Sequence, residues 1–127
     1  MHRRNISSGS KWEPIIGYSR AVRMGPHVQV SGTAGTAADG SLADDAEAQT
    51  MQALKTIAAA LESAGARLTD VVRTRIYMTD ICEWEAVARA HGEMFSDIRP
   101  ATTIVEVSRL IDPKMKVEIE AEAIVLD

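Results

Sequence analysis

The chain closes on a run in which apolar and acidic positions alternate. Val117, Ile119, Ala121, Ala123 and Val125 fall on one side of it, and Glu118, Glu120 and Glu122 on the other. Period-two alternation is the pattern of a strand with one buried face. A second alternating run precedes it, with Thr103, Val105 and Val107 opposite Thr102, Ile104 and Glu106. Between them, Asp112 and Pro113 mark a link. Ile104, Ile124 and Leu126 fall among the carboxylates. Acids mixed with large aliphatics suit neither solvent nor core, so a subunit interface with a polar cleft is expected there.

The same patterns divide the rest of the chain. Residues 4–7 offer a short first strand, and Pro14 and Gly17 are expected to break any regular element after it. Residues 19–24 and 27–31 alternate around the turn dipeptide Gly25-Pro26, which makes 19–33 a hairpin. Gly32 and Gly35 let the chain leave the sheet, and 36–42 is a loop turning at Asp39-Gly40. Asp44 with Glu47 reads as a capped helix start, and Met51, Leu54, Ile57, Ala58 and Leu61 recur at helical spacing before Gly65. That is a helix of about twenty residues. Residues 71–78 form a further strand, with Val72, Thr74, Ile76 and Met78 on one side and Arg73, Arg75 and Tyr77 on the other. Asp80 with Glu83 repeats the cap, and Trp84, Val87, His91, Met94 and Phe95 make the stripe of a second helix. The order is β-β-α-β-α-β-β with an extra first strand. Two helices cover one face of a mixed sheet of about five or six strands, an α+β fold whose other face is left for a partner. A homo-oligomer is the expectation.

Composition narrows the function classes. The 127 residues, 46% apolar and 25% charged, suit one globular domain spanning residues 1–127. A net charge of −4 and only 4% aromatics leave poor means of holding nucleic acid. No apolar run approaches the roughly 18 residues of a membrane span. The start, MHRRNISSGSKWEP, has no apolar stretch behind its basic residues, so no secretory signal is expected. One cysteine makes no internal disulfide, which points to the cytoplasm. His2, His27 and His91 lack metal-ligand spacing, so no metal is expected.

Three blocks carry a resemblance: GYSRAVRMGPHVQVSGTAG (17–35), VVRTRIYMTDICEW (71–84) and RPATTIVEVSRL (99–110) followed by KVEIEAEAIV (116–125). Together they resemble the reactive-intermediate deaminase (Rid, YjgF-type) family, also known as L-PSP endoribonuclease or translation-inhibitor proteins. The resemblance spans nearly the whole chain. It implies a chorismate-mutase-like α+β fold and a homotrimer with three clefts between subunits. It also implies no metal or organic cofactor, and hydrolysis of reactive imines and enamines to 2-keto acids and ammonia. The family's glutamate is kept as Glu118, its loop tyrosine as Tyr18, and its small turn as Ser31 and Gly32. Deaminating members carry an arginine in the β-block that clamps the substrate carboxylate; here that position is Thr102. An asparagine near the start of their second helix becomes Ala88. Threonine has one hydroxyl and no charge, so it does not replace a guanidinium fork.

Each candidate has a plainer reading beside the functional one. Glu118 positions a water, or is an ion-paired member of a mixed face. Arg75 takes over as carboxylate anchor, or Arg73 and Arg75 pair across strands with Glu106, Glu118 or Glu120; structural pairing is favoured. Arg20 and Arg99 are further anchors with less behind them. Cys82, His91 and Trp84 are read as packing residues: a buried thiol, a part-buried ring and a core indole. The leading function is a trimer binding a small metabolite between subunits and hydrolysing a C–N bond, with Glu118 catalytic and Tyr18, Ser31, Gly32, Arg75 and Thr102 lining the substrate. The rival is a metabolite-binding regulator without catalysis; ribonuclease ranks last.

Overall fold

The computed structural model describes residues 2–126. Six strands form one mixed sheet: β1 (Arg3–Ile6), β2 (Ala21–Met24), β3 (His27–Ala34), β4 (Val71–Met78), β5 (Ala101–Glu106) and β6 (Val117–Ile124). Their spatial order is β1-β2-β3-β6-β4-β5, antiparallel throughout except for the parallel β4–β5 pair. The two long helices are α2 (Ala46–Ser63) and α3 (Trp84–Phe95). Between β1 and β2 lies a five-residue helix, α1 (Trp12–Ile16).

The closing strand sits at the centre because its alternation is complete. Every second residue of β6 from Val117 to Ala123 is buried, while Glu118, Glu120, Glu122 and Ile124 stay partly open on the other face. The buried side meets α2 through Leu54, Ile57 and Leu61 and α3 through Val87 and Phe95, with Val28, Ile76, Met78 and Ile119 from the sheet. Burying each such side chain stabilises the fold by roughly 1.5–3 kcal/mol. The α+β architecture with its two long helices on the core face is as the pattern requires.

Local departures have physical causes. Pro14 does not break the chain into coil: it sits in the first turn of α1, where a missing N–H costs nothing, and Gly17 ends the helix at φ 88°. Helix α2 starts one residue later than expected, because Asp45, not Asp44, accepts from Ala48 N at 2.7 Å. A bulge at Val72 shifts the phase of β4, so Val71 is buried and Val72 is 43% exposed. Ile104 pairs with Ile76 in the parallel ladder and packs against the core, so it does not belong to the acidic face. Trp84 is half exposed and Cys82 exposed, which overturns both packing assignments. At Gly35 an added Cβ would collide with the Gln49 backbone carbonyl. Glycine there lets β3 and α2 touch backbone to backbone.

Candidate functional site

A second bulge builds the site. Val30 pairs with Ala121 and Thr33 with Ile119, so β3 spends one extra residue around Ser31 and Gly32. That residue turns the Gly32 backbone toward Glu118 at the start of β6. A Cβ on Gly32 would lie 3.0 Å from Glu118 Cδ, so any larger residue would press the carboxyl a few tenths of an ångström off the strand. Arg20, immediately before β2, reaches the same bulge. Its Nη1 donates to Gly32 O and Thr33 Oγ1, both at 2.7 Å, and its Nη2 donates to Tyr18 OH at 3.1 Å. The guanidinium carbon lies 5.4 Å from the centre of the Tyr18 ring.

The loop before β2 is fastened by Glu13. Its carboxylate accepts from Ser7 Oγ at 2.9 Å and from Ser8 Oγ at 2.6 Å, and its carbonyl accepts from Tyr18 N at 3.1 Å. Burial opposes ionisation of Glu13, but the hydrogen bonds from Ser8, Ser7 and Ser10 outweigh it and hold the carboxyl below its ordinary range. Tyr18 thereby lines an open cavity of about 650 Å³ with Arg3, Asn5, Glu13, Val22 and Ser31, a hollow that Arg20 and Glu118 do not themselves line. The Ser31 hydroxyl donates to Ser19 O at 2.6 Å and so serves the loop.

Glu118 is the titratable group of this corner. Burial raises its pKa, Arg20 pulls it back, and the charge of Glu120 adds to the rise. Its carboxyl accepts no hydrogen bond from the described residues. The only buried side-chain N or O without a partner among them is Arg73 Nε, so the Glu118 oxygens touch solvent. A carboxyl with a raised pKa, free oxygens and access to water suits general acid–base work.

Tyr18, Ser31, Gly32 and Glu118 thus come together, and Arg20 joins them. Arg75 and Thr102 do not. Arg75 donates to Glu122 at 2.7 Å, and Tyr77 OH donates to Glu120 at 2.6 Å, so the other carboxylates of the face are paired diagonally across β4 and β6. Arg73 donates to Thr103 at 2.9 Å. Arg99, at φ 54°, closes α3 by donating its N–H to Phe95 O and folds its Nε onto Ser96 O.

Thr102 pairs with Thr74 on the helix side of β5, the opposite face from Glu118 and two strands away. Its hydroxyl donates to Pro100 O at 3.1 Å and lies 2.8 Å from Thr74 Oγ1, which lies 2.9 Å from His91 Nε2. A hydroxyl has one hydrogen, so the chain runs one way: His91 Nε2–H to Thr74, Thr74 to Thr102, Thr102 to Pro100. Burial lowers the His91 pKa; the hydrogen-bond chain, not the pKa, puts the proton of the neutral ring on Nε2. Thr102 therefore has no hydrogen left for an anion. Sequence reasoning missed this chain; it offered Arg20 as a further anchor, without the bulge contacts that place it beside Tyr18. Among the described residues, no three His, Cys, Asp or Glu side chains gather as a metal site.

A mixed sheet backed by two helices, with a carboxyl–tyrosine–arginine corner at the β3 bulge, defines a small α+β domain. The chain belongs to the Endoribonuclease L-PSP family, the Rid/YjgF group, whose sequence profile matches residues 9–125. It is similar to a YjgF/YER057c/UK114 family member from Mycobacterium tuberculosis, with 53% identity, TM-score 0.92, and 98% of this chain and 100% of that one covered. It is 37% identical to a RutC family protein of Pyrococcus abyssi over 88% of this chain and 87% of the relative. It is 36% identical to the 2-iminobutanoate/2-iminopropanoate deaminase of Salmonella typhimurium over 67% of this chain and 68% of the relative.

Proposed function

We propose that the chain works as a homotrimer that binds a small metabolite in clefts between subunits and hydrolyses an imine, enamine or related C–N bond there. The observation behind this is the Glu118 corner: an unpaired carboxyl with a raised pKa, set against a glycine backbone and open to water. Within one chain, Glu118 and Thr102 face opposite sides of the sheet, so a cleft using both needs two chains. In the reaction, Glu118 takes a proton from water as the oxygen bonds to the C=N carbon. It passes that proton to nitrogen, giving a carbinolamine; the carboxylate then carries the hydroxyl proton to nitrogen as the C–N bond breaks, so ammonia leaves and a carbonyl remains. The name of the Salmonella relative supports this reaction type. The residues of the corner perform it without a metal or organic cofactor.

The imines of common 2-amino acids are poor substrates in this reading. The Thr102 hydroxyl is spent on Pro100, and losing a charged clamp on a carboxylate costs several kcal/mol, more than about a hundredfold in rate. The test generates such imines in place with an amino-acid oxidase and follows their disappearance beside an arginine-bearing relative. Equal rates would sink the argument from Thr102. The committed Thr102 hydroxyl also favours a second reading, a metabolite-binding protein without turnover. A ligand that binds in the cleft and is recovered unchanged after prolonged incubation would decide for it.

A further inference from the structure

Arg20 is 93% buried by its 7% exposure, yet it belongs to none of the three ion pairs found among the described residues. A buried guanidinium without a touching carboxylate is costly unless hydrogen bonds or a ligand compensate. Its five donors can be followed one by one. The two on Nη1 go to Gly32 O and Thr33 Oγ1, and one on Nη2 goes to Tyr18. The second Nη2–H and the Nε–H meet no acceptor among the described residues, and Nε touches solvent, since it is not among the buried unpartnered atoms. Tyr18 accepts from Arg20, so its own hydrogen is also unspent.

Three unspent groups at one corner are therefore all donors, two of them on a cation. The nearby carboxyl that senses Arg20, Glu118, does not hydrogen-bond to it. We propose that Arg20 and Tyr18 form the anion-binding end of the cleft and take the carboxylate of the ligand. A planar carboxylate accepts from two or three such donors, which strengthens each bond by charge. The aromatic ring over the guanidinium and the bulge carbonyls beneath it hold the fork in place before the ligand arrives. The rest of the ligand extends away from the corner, toward the uncharged Thr102 region of the neighbouring chain. Its reacting bond then meets Glu118 in the reverse orientation from the one a clamp at position 102 would impose. This deepens the proposed function in that it uses the same cleft, but it needs binding only and not turnover.

The experiment titrates the intact protein with pyruvate and with pyruvamide by calorimetry, measuring turnover separately. Pyruvate should bind, and pyruvamide, which lacks the charge, at least about tenfold more weakly. Tyr18→Phe, which removes one donor and little volume, should weaken pyruvate about tenfold without altering the assembly. Arg20→Lys keeps a charge but not the planar fork and should weaken it further. Glu118→Gln should keep or tighten pyruvate binding. Should Arg20→Lys fail to fold, Tyr18→Phe carries the test. Equal binding of the two probes, no pyruvate binding at about 10 mM, or undiminished binding in Tyr18→Phe overturns the proposal. Selective, Tyr18-dependent binding without turnover of any imine upholds it and removes the catalytic reading instead.

Discussion

Glu118 is the residue on which chemistry and stability can be separated. Its folded pKa lies above the ordinary value of 4.5, chiefly through burial. A carboxyl raised in this way costs the fold stability when it ionises; the cost is absent below the unfolded pKa and complete above the folded one. Glu118→Gln should therefore melt at the same temperature as the parent or higher at pH 7. The difference should close as pH falls to about 4.5, while turnover is abolished at every pH. Thermal melts at fixed protein concentration, beside activity, check this. A variant that melts lower at pH 7 yet keeps its turnover per folded molecule removes the catalytic role. Glu118 was legible in the sequence because alternation puts it on the acidic face with Glu120 and Glu122, and the family resemblance then singles it out. The surroundings of Arg20 were not, because what it touches depends on a bulge in the next strand, β3, and nothing in the local pattern reveals where a bulge falls. The pairing of Arg75 with Glu122 was half legible: a cross-strand partner was expected, but its diagonal choice follows from register.

At the scale of elements, the long periodic segments read true. Strand β4 spans 71–78 as the alternation requires, α2 carries the expected stripe, and α3 carries its own from Val87 to Phe95 but not at Trp84. Edges and phases read less well, since helix caps and bulges turn on single residues. The start of α2 makes that measurable. The spacing to Glu47 pointed to Asp44 as the cap, but it is Asp45 that accepts from a backbone N–H of the first turn. Asp45→Ala should cost about 1 kcal/mol and Asp44→Ala close to nothing. Urea unfolding should show the first as a lower midpoint with an unchanged slope. Equal effects would mean that Asp44 shares the cap. Helix α1 escaped notice because proline is a breaker only inside a helix, and its five residues leave too little periodicity to see.

At the scale of the molecule, the two faces of the sheet differ. One is closed by α2 and α3; the other carries the Arg75–Glu122 and Tyr77–Glu120 pairs beside Val105 and Met24, each 40% exposed. Such a half-polar, half-apolar face suits a partner of the same kind, and light scattering at micromolar concentration should return the mass of three chains. A well-folded monomer would remove the cleft between subunits and the function built on it. The separation of Glu118 from Thr102 across the sheet also has a genetic consequence. If each cleft takes its carboxyl from one chain and its β5 wall from the next, a lesion at either place is recessive to the other. Two inactive alleles, one altered at each, would complement within mixed assemblies, because about one cleft in four would draw both intact halves.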